Sequence, residues 1–286
     1  MINDKKGEGK MKKFTALFAV LAVILVLGAC GSGSKSSSGD SKNKELIVGA
    51  SSSPHAVILE KAKPILKKKG INLKIVKYND YVLPNKALDE GDLTANYFQH
   101  KPYLELEEKQ KGYKFADVGA IHLEPLGIYS KKVKSLKDLK DGAQILVSNS
   151  KSDWPRIIGI FVDEGLIKVK KGVKLQDATF KDISDNPKNL KFKTSFDPGY
   201  LMTAYKNNEG DAVAINSNFV VAQGLNPEKD AIALESKKSP YANIIVTTEK
   251  NKNNKDVKEL VKVLHSKEIQ DFITDKWKGA VLPVNK

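Results

Sequence analysis

Between residues 45 and 277, short apolar runs rich in Val and Ile alternate with longer stretches that carry an apolar residue every three or four positions. The short runs predict β-strands, and the longer stretches predict amphipathic α-helices. Because the two alternate, the sequence predicts an α/β fold in which helices cover a parallel or mixed sheet. The clearest predicted strands are 45–51, 71–78, 93–98, 144–150, 211–217 and 242–249. The clearest predicted helices are 56–70, 84–92, 101–112, 154–167, 218–225 and a single terminal helix over 255–277.

The length of 286 residues favours two lobes, since single hydrophobic cores stop growing at roughly 250 residues. We expect the chain to cross between the lobes near 125–130 and to return near 235–242. The predicted first lobe is 45–125 plus 240–286, and the predicted second lobe is 126–239. In such folds ligands bind in crevices at the carboxyl ends of strands, so polar residues at those ends are candidates for a binding site.

Residues 1–29 have the pattern of a signal peptide. Lys12 and Lys13 precede a 14-residue apolar stretch, a length that fits a signal-peptide core and is short of the roughly 20 residues of a membrane span. Met11 is the expected start of translation, because codons for the Lys-Gly-Glu ahead of it can form a ribosome-binding sequence.

The apolar stretch ends in Leu-Gly-Ala before Cys30, which is the only cysteine of the chain. This end resembles the lipobox of bacterial lipoproteins, in which the cysteine is lipidated and becomes the first residue after cleavage. Residues 30–44 continue as a Gly/Ser/Lys-rich tether that cannot build a core. The sequence therefore predicts a lipoprotein anchored to the cell membrane on its extracytoplasmic face.

Lysine supplies nearly all of the positive charge. The formal net charge is +14, and Arg156 is the only arginine among 48 basic residues. The lysines are mixed with Asp and Glu, which indicates a hydrated surface rather than a nucleic-acid interface with its arginine clusters. Because no P-loop, GxGxxG, CxxC or nucleophile-elbow motif occurs, we expect neither catalysis nor a cofactor. A binding protein is favoured, and an adhesin or structural wall protein is the alternative.

Arg156 lies in "SDWPRIIGIF", at the start of the helix predicted over 154–167. Asp153 or Ser152 is expected to cap this helix, and Pro155 is tolerated in a first turn because its missing N–H would have no partner there. A cation at this end opposes the helix dipole, which favours a functional reason for the arginine. Its five donors beside helix N–H groups suit a carboxylate or phosphate, and the structural alternative is a salt bridge between the lobes.

A second cluster of candidates lies in "NYFQHKPYL", where Tyr97, Phe98 and Tyr103 accompany the polar residues Gln99 and His100. Aromatic residues at this density usually pack a core. The two polar residues, however, are expected in the turn after the strand rather than within it. An aromatic wall with one polar group suits a small apolar ligand side chain.

Two asparagines, Asn216 and Asn243, also fall at predicted strand ends. An asparagine offers both a donor and an acceptor, so it can bind an amine or a carboxylate. The alternative is that each is a turn residue only.

Four segments follow the lipobox along the chain, in the order "NDYVLPN", "NYFQHKPYL", "AINSNF" and "SPYANIIV". Together they resemble the methionine-binding lipoproteins of ABC importers, the NlpA family, over essentially all of 45–286. The resemblance implies a two-lobe type II periplasmic-binding-protein fold that closes over its ligand in the cleft between the lobes. It also implies an extracytoplasmic solute-binding lipoprotein that delivers L-methionine to an ABC permease and its ATPase.

The resemblance assigns seven ligand-binding residues, Tyr81, Phe98, His100, Tyr103, Arg156, Asn216 and Asn243. The three aromatic side chains would enclose the thioether, and the histidine would stand at the edge of their pocket. The arginine would pair with the α-carboxylate, and the two asparagines would hold the amino and carboxylate groups.

Two segments of the predicted second lobe depart from the family pattern. Residues 148–156, "SNSKSDWPR", keep Asn149 and Arg156 of a PNDxxNxxR-like pattern but differ at three of its other positions. Residues 196–205, "FDPGYLMTAY", differ from a shorter Leu-Pro-Arg-Ser-Leu-like run. A methionine derivative, D-methionine, a Met-containing dipeptide and another apolar amino acid are therefore alternative ligands.

A divalent metal is a further alternative ligand. His55, His100 and His122 could converge in the cleft with an Asp or Glu, as zinc sites require. The histidines lack HxH or HxxxH spacing, so the sequence favours the amino acid.

Overall fold

The computed structural model of the protein describes residues 45–237 and 239–284. All of these residues belong to one compact unit of the chain, Lys42–Lys286. The predicted signal peptide, Cys30 and the tether over 30–44 lie outside the described residues. Within the described ranges, no helix is both long and apolar enough to cross a membrane.

Strands and helices alternate along the described chain. The β-strands are β1 (Leu46–Ser51), β2 (Leu73–Tyr78), β3 (Ala95–His100), β4 (Phe115–Leu123), β5 (Gly127–Tyr129), β6 (Gln144–Ser148), β7 (Lys168–Val169), β8 (Ile183–Asp185), β9 (Lys191–Phe196), β10 (Ala212–Ile215), β11 (Ala233–Leu234), β12 (Asn243–Thr248) and β13 (Leu282–Pro283). The α-helices are α1 (His55–Lys68), α2 (Leu83–Asp89), α3 (Lys101–Lys111), α4 (Trp154–Asp163), α5 (Leu201–Lys206), α6 (Ser217–Ala222), α7 (Pro227–Asp230), α8 (Lys255–Leu264) and α9 (Lys267–Trp277). Short 3₁₀ turns lie at Leu136–Asp138, Lys151–Asp153, Leu175–Asp177, Phe180–Asp182, Pro198–Tyr200 and Glu249–Asn251.

The first lobe is built on a six-stranded mixed sheet with the order β13-β4-β12-β3-β1-β2. β1 pairs in parallel with β2 and β3, whereas β12 runs antiparallel to β3 and β4. Successive residues of a strand point to opposite faces. Ile245 accordingly joins the core beneath α1, α8 and α9, while Ile244 and Val246 join the core beneath α2 and α3. The strands are apolar on both faces because helices cover both.

The second lobe is built on a five-stranded mixed sheet with the order β11-β5-β10-β6-β9. β10, β6 and β9 run in parallel, and β5 is antiparallel to β10 and β11. Ile157 and Phe161 of α4 share a core with Val147 of β6. Met202 of α5 shares a core on the other face with Leu146. α4 is thereby held against the sheet, with its first turn beyond the end of β6.

These two lobes confirm the predicted two-lobe α/β fold. The strands of the first sheet come from 46–123 and 243–283, and those of the second sheet come from 127–234. This division is compatible with the boundaries expected from the sequence, 45–125 plus 240–286 and 126–239, which stay a prediction.

Two predicted elements need correction, and the prediction lacks the edge strand β9. The terminal helix over 255–277 is two helices, because Ser266 has an extended backbone (ψ 150°) and begins α9 anew. α4 ends at Asp163 rather than at 167, since Gly165 has a positive φ of 72° that ends the helix. β9 was not predicted, although its sequence "KFKTSF" alternates exposed and half-buried residues as an edge strand does.

Candidate functional site

A pocket lies between the two lobes, where the carboxyl ends of β3 and β4 face those of β6 and β10. This is the position at which α/β sheets usually bind ligands. The seven residues predicted to bind the ligand, Tyr81, Phe98, His100, Tyr103, Arg156, Asn216 and Asn243, all line it. Residues that were not predicted also line it, among them Gln99, Glu124, Ser150, Asp153 and Asn218. The structure thus brings the predicted residues together, and their roles in binding stay a prediction.

The lobes touch around this pocket. Its free space is about 30 Å³, which is room for one or two water molecules. The hydroxyl of Tyr81, in the first lobe, donates a hydrogen bond to Oδ1 of Asn218 on α6 at 2.7 Å. The ring of Tyr81 also lies 5.4 Å from that of Phe219, centroid to centroid. A ligand of amino-acid size therefore requires the lobes or the lining side chains to move apart.

Three aromatic rings form one wall of the pocket. The centroid of Tyr81 lies 6.1 Å from those of Phe98 and Tyr103, which are 5.9 Å from each other. The hydroxyl of Tyr103 donates to the backbone carbonyl of Tyr81 at 2.8 Å and so fixes the loop that carries it. Tyr97, which belonged to the same sequence cluster, points to the opposite face of β3 and is fully buried in the core.

Gln99 and His100 were expected in a turn, and both lie in β3. A polar side chain is tolerated there because the Gln99 amide donates to Oδ1 of Asn85 at 2.7 Å and of Asn96 at 3.0 Å. His100 is the last residue of the strand, and its Nδ1 caps α3 by accepting from the backbone N–H of Tyr103 at 3.2 Å. Burial lowers the pKa of His100, so its ring is neutral near pH 7.

Arg156 makes a buried ion pair with Glu235. Its Nε lies 3.1 Å from both carboxylate oxygens, and its Nη2 donates to Oε2 at 2.6 Å. Nη2 also donates to the backbone carbonyl of Glu124 at 2.9 Å. Burial would raise the pKa of Glu235, but the guanidinium beside it holds that pKa below its usual value. Nη1 makes no hydrogen bond to any described residue, and its nearest ionic partner is the Asp153 carboxylate at 3.6 Å.

Asp153 does not cap α4 as predicted. A 3₁₀ turn over Lys151–Asp153 precedes the helix, and the carboxylate turns back toward the strand ends. It accepts from Oγ of Ser148 at 3.1 Å and from Nδ2 of Asn216 at 3.2 Å on each oxygen, and it lies 3.6 Å from Nη1 of Arg156. Burial would raise the pKa of Asp153, but hydrogen bonds and the arginine charge lower it overall. Asp153 is therefore ionised and joins β6, β10 and α4.

Sequence reasoning missed Glu124. Oε1 of this buried carboxylate lies 2.7 Å from Nε2 of His122 and 3.4 Å from Nε2 of His55, which also contacts Oδ1 of Asn243 at 2.9 Å. Burial raises the pKa of Glu124 to about 7 and lowers those of His55 and His122 to about 4 and 3. The spacing His122-x-Glu124 could have identified the pair, because alternate residues of an extended chain share a face.

Part of the metal site considered as an alternative in the sequence is present in this cluster. Nitrogen and oxygen atoms of His55, His122 and Glu124 lie within 4.8 Å of one another, whereas His100 lies outside the group. The tyrosine hydroxyl of Tyr97 contacts Nδ1 of His122, so both nitrogens of that ring are engaged in hydrogen bonds. The same three residues offer the two imidazoles and one carboxylate that a zinc site uses.

Residues 196–205, the second departure from the family pattern, form the end of β9, a 3₁₀ turn and the start of α5. They supply none of the described residues that line the pocket. Of the two departures, residues 148–156 alone reach the site, through Ser150, Asp153 and Arg156.

Comparison with known proteins places these features in a family. The chain is 48% identical over 278 residues to the methionine-binding lipoprotein MetQ of Bacillus subtilis, covering 96% of this chain and all of the relative. A lipoprotein of the YaeC family from Enterococcus faecalis, described as a pheromone cOB1 precursor, superposes with a TM-score of 0.82 at 58% identity, covering 84% of this chain and 99% of its own. A nutrient-binding protein from Burkholderia cenocepacia bound to methionine superposes with a TM-score of 0.79 at 42% identity, covering 84% of this chain and all of its own.

The family model described as NlpA lipoprotein matches residues 46–285, which include every strand, helix and pocket residue described above. The resemblance noted in the sequence is thus confirmed over the whole folded region. The chain belongs to the NlpA lipoprotein family.

Proposed function

We propose that the protein is an extracytoplasmic receptor that captures methionine between its lobes and delivers it to an ABC importer. The observation that carries the proposal is an interlobe pocket lined by three aromatic rings and by a guanidinium whose Nη1 makes no hydrogen bond to a described residue. An amino acid with a long apolar side chain matches both features, because its side chain can pack on the rings and its carboxylate can pair with the guanidinium. The names of the Bacillus subtilis and Burkholderia cenocepacia relatives support methionine as that amino acid.

In this proposal the thioether packs among Tyr81, Phe98 and Tyr103, because polarisable sulfur makes favourable contacts with aromatic rings. The α-carboxylate accepts from Nη1 of Arg156, and Nδ2 of Asn243 donates to the same group. Among the described residues this Nδ2 has no hydrogen-bond partner, since the contact with His55 uses the amide oxygen.

Ligand contacts from both lobes favour the closed arrangement, since a ligand shifts a conformational equilibrium only by binding one state better. The closed receptor then docks on a permease whose ATPase supplies the energy. A lipid on Cys30 and a tether with a reach of roughly 20 Å would keep the receptor near the permease and raise its effective concentration. The relatives named above as lipoproteins support this lipid anchor. The proposed activity is binding and delivery, without a chemical step.

Tyr81→Phe tests the closure. The change removes only the hydroxyl that reaches Asn218 across the cleft, and leaves the ring of the aromatic wall in place. We expect methionine affinity to fall by about fivefold, the equivalent of one hydrogen bond of about 1 kcal/mol. Isothermal titration calorimetry measures this loss. Tyr113→Phe, outside the pocket beside Phe115, is the matched control and should bind like the wild type. Equal losses in both variants would contradict a role for the interlobe hydrogen bond.

Thermal unfolding with a ligand panel tests the proposed function. The purified protein is first freed of bound ligand by unfolding and refolding. It is then heated with L-methionine, D-methionine, leucine, methionine-containing dipeptides or zinc. A ligand that binds only the folded state raises the unfolding temperature with its concentration. We expect the largest rise with L-methionine. Stabilisation by micromolar zinc without any effect of methionine would instead favour a metal receptor built on His55, His122 and Glu124.

A further inference from the structure

The pocket contains more buried negative than positive groups. Arg156 and Glu235 form one ion pair, and the carboxylates of Asp153 and Glu124 come in addition. The neighbouring imidazoles of His55 and His122 do not balance them, because burial keeps both rings neutral. Buried charges require a counter-charge or strong hydrogen bonds, so the pocket is arranged for a ligand that brings a cation.

Of the two additional carboxylates, Asp153 is already satisfied. It accepts three hydrogen bonds, from Ser148 and from the Asn216 amide, and it faces Nη1 of Arg156 at 3.6 Å. A further cation at this carboxylate would have to compete with these donors.

Glu124 differs, because its contacts with His122 and His55 both reach Oε1. Oε2 has no hydrogen-bond partner among the residues that the structure describes. The side chain is 6% exposed and lines the pocket, so this oxygen is available to a ligand there. Its position is fixed in advance, because His122 donates to Oε1 and is itself held by the hydroxyl of Tyr97.

We infer that Oε2 of Glu124 binds the α-ammonium group of the ligand and that this contact makes a free primary amine a condition of tight binding. The inference rests on the proposed capture of methionine and adds a specificity-determining residue to it. The resemblance had assigned the amine to the asparagines. The guanidinium is largely committed to Glu235, so the amine contact contributes a major part of the affinity.

The contact also explains why an ionisable group is retained at this depth. Burial holds the pKa of Glu124 at about 7, so the ligand-free carboxylate is poorly stabilised at neutral pH. An ammonium group beside Oε2 would supply the missing counter-charge. A polar site built for one ligand group rejects an analogue that lacks it, because the buried partner is then left unpaired.

Calorimetry with matched analogues tests the inference. 4-(Methylthio)butanoate is methionine without its amine and introduces no steric clash. On the wild-type protein we expect it to bind about 100-fold more weakly than L-methionine or worse. On Glu124→Gln we expect methionine to lose about 30-fold or more, while the analogue binds as well as before or better, because the charge that repels its carboxylate is gone. Glu107→Gln removes another buried carboxylate, on α3 outside the pocket, and should leave both ligands unchanged.

The outcomes separate the two proposals. If methionine and the deaminated analogue bind the wild type equally, Glu124 does not recognise an amine and the inference fails while methionine capture stands. If methionine does not bind the wild type at all, the proposed function fails and this inference fails with it. The wild-type comparison decides the question even if Glu124→Gln does not fold.

Discussion

Arg156→Lys is expected to lower the affinity for methionine by about 100-fold or more. Nε and Nη2 hold Glu235, and Nη2 also holds the backbone carbonyl of Glu124. In the proposed binding mode Nη1 is a third contact, with the ligand carboxylate. A lysine ammonium is a single point charge and cannot reach all three partners in a fixed geometry. Loss of one partner of a buried, hydrogen-bonded charge pair typically costs about 2–5 kcal/mol, which covers the expected loss.

Calorimetry on the folded variant measures this effect, and circular dichroism checks that the variant is folded at the temperature of the titration. Glu235→Gln is the informative control, because it removes the charge of the ion pair and keeps the guanidinium. We expect this control to stay within about tenfold of wild-type affinity, since the ligand carboxylate then has less competition for the arginine. An Arg156→Lys protein that binds methionine like the wild type would refute the carboxylate role of this residue.

Methionine affinity is also expected to fall steeply on acidification. Burial raises the pKa of Glu124 to about 7 in the ligand-free protein. Binding an ammonium group favours the ionised carboxylate and lowers this pKa, so the protein releases a proton on binding below pH 7. The affinity should therefore be full above about pH 8 and should fall by about tenfold per pH unit below pH 7, reaching a loss of about 100-fold at pH 5.

Of the histidines around Glu124, His55 and His122 do not titrate in this window. Burial places the pKa values of His55 and His122 at about 4 and 3 and lowers that of His100. The neighbouring tyrosines have pKa values raised above the usual value by burial, and the guanidinium stays charged. The titratable and charged groups that face Glu124 are His55, Tyr81, Tyr97, His100, His122 and Arg156.

Calorimetry at pH 5, 6, 7 and 8, in pairs of buffers with different ionisation enthalpies, measures both the affinity and the proton released. Glu124→Gln should show a nearly flat profile over this range, because it lacks the titrating group. An affinity that rises on acidification, or an equally steep profile in the variant, would show that another group is responsible.

The lobes and the position of the pocket could be predicted because they depend on local patterns. Strand–helix alternation predicts the α/β fold, and the carboxyl ends of strands carry Phe98, His100 and Asn216, which line the pocket. The alternation of side chains along β3 also explains why Tyr97 faces the core while Phe98 faces the ligand.

The ionic partners could not be predicted, because they come together from distant parts of the chain. Arg156 meets Glu235, 79 residues away, and Asn216 meets Asp153, 63 residues away. A local sequence pattern does not reveal which of many carboxylates will be buried beside a given cation. The expected cap of α4 failed for the same reason, since the Asp153 carboxylate is drawn to partners on β6 and β10.

The departure of 148–156 from the family pattern changes the charge beside Arg156. Asp153 stands where that pattern has a second Asn, and it adds a buried negative charge 3.6 Å from Nη1 of Arg156. A carboxylate at this place partly neutralises the guanidinium and increases the share of the affinity that depends on the ligand amine. The change therefore affects how the ends of the ligand are held and leaves the aromatic wall unaltered.

Capture of methionine with its side chain in the aromatic wall is tested most directly by the anomalous scattering of selenium. The sulfur-containing protein is crystallised with L-selenomethionine, so that selenium marks only the ligand. We predict one selenium site per molecule, enclosed by the rings of Tyr81, Phe98 and Tyr103, with the ligand carboxylate toward Arg156 and its amine toward Glu124. Selenium beside the guanidinium, or a pocket without selenium at saturating ligand, would contradict this binding mode.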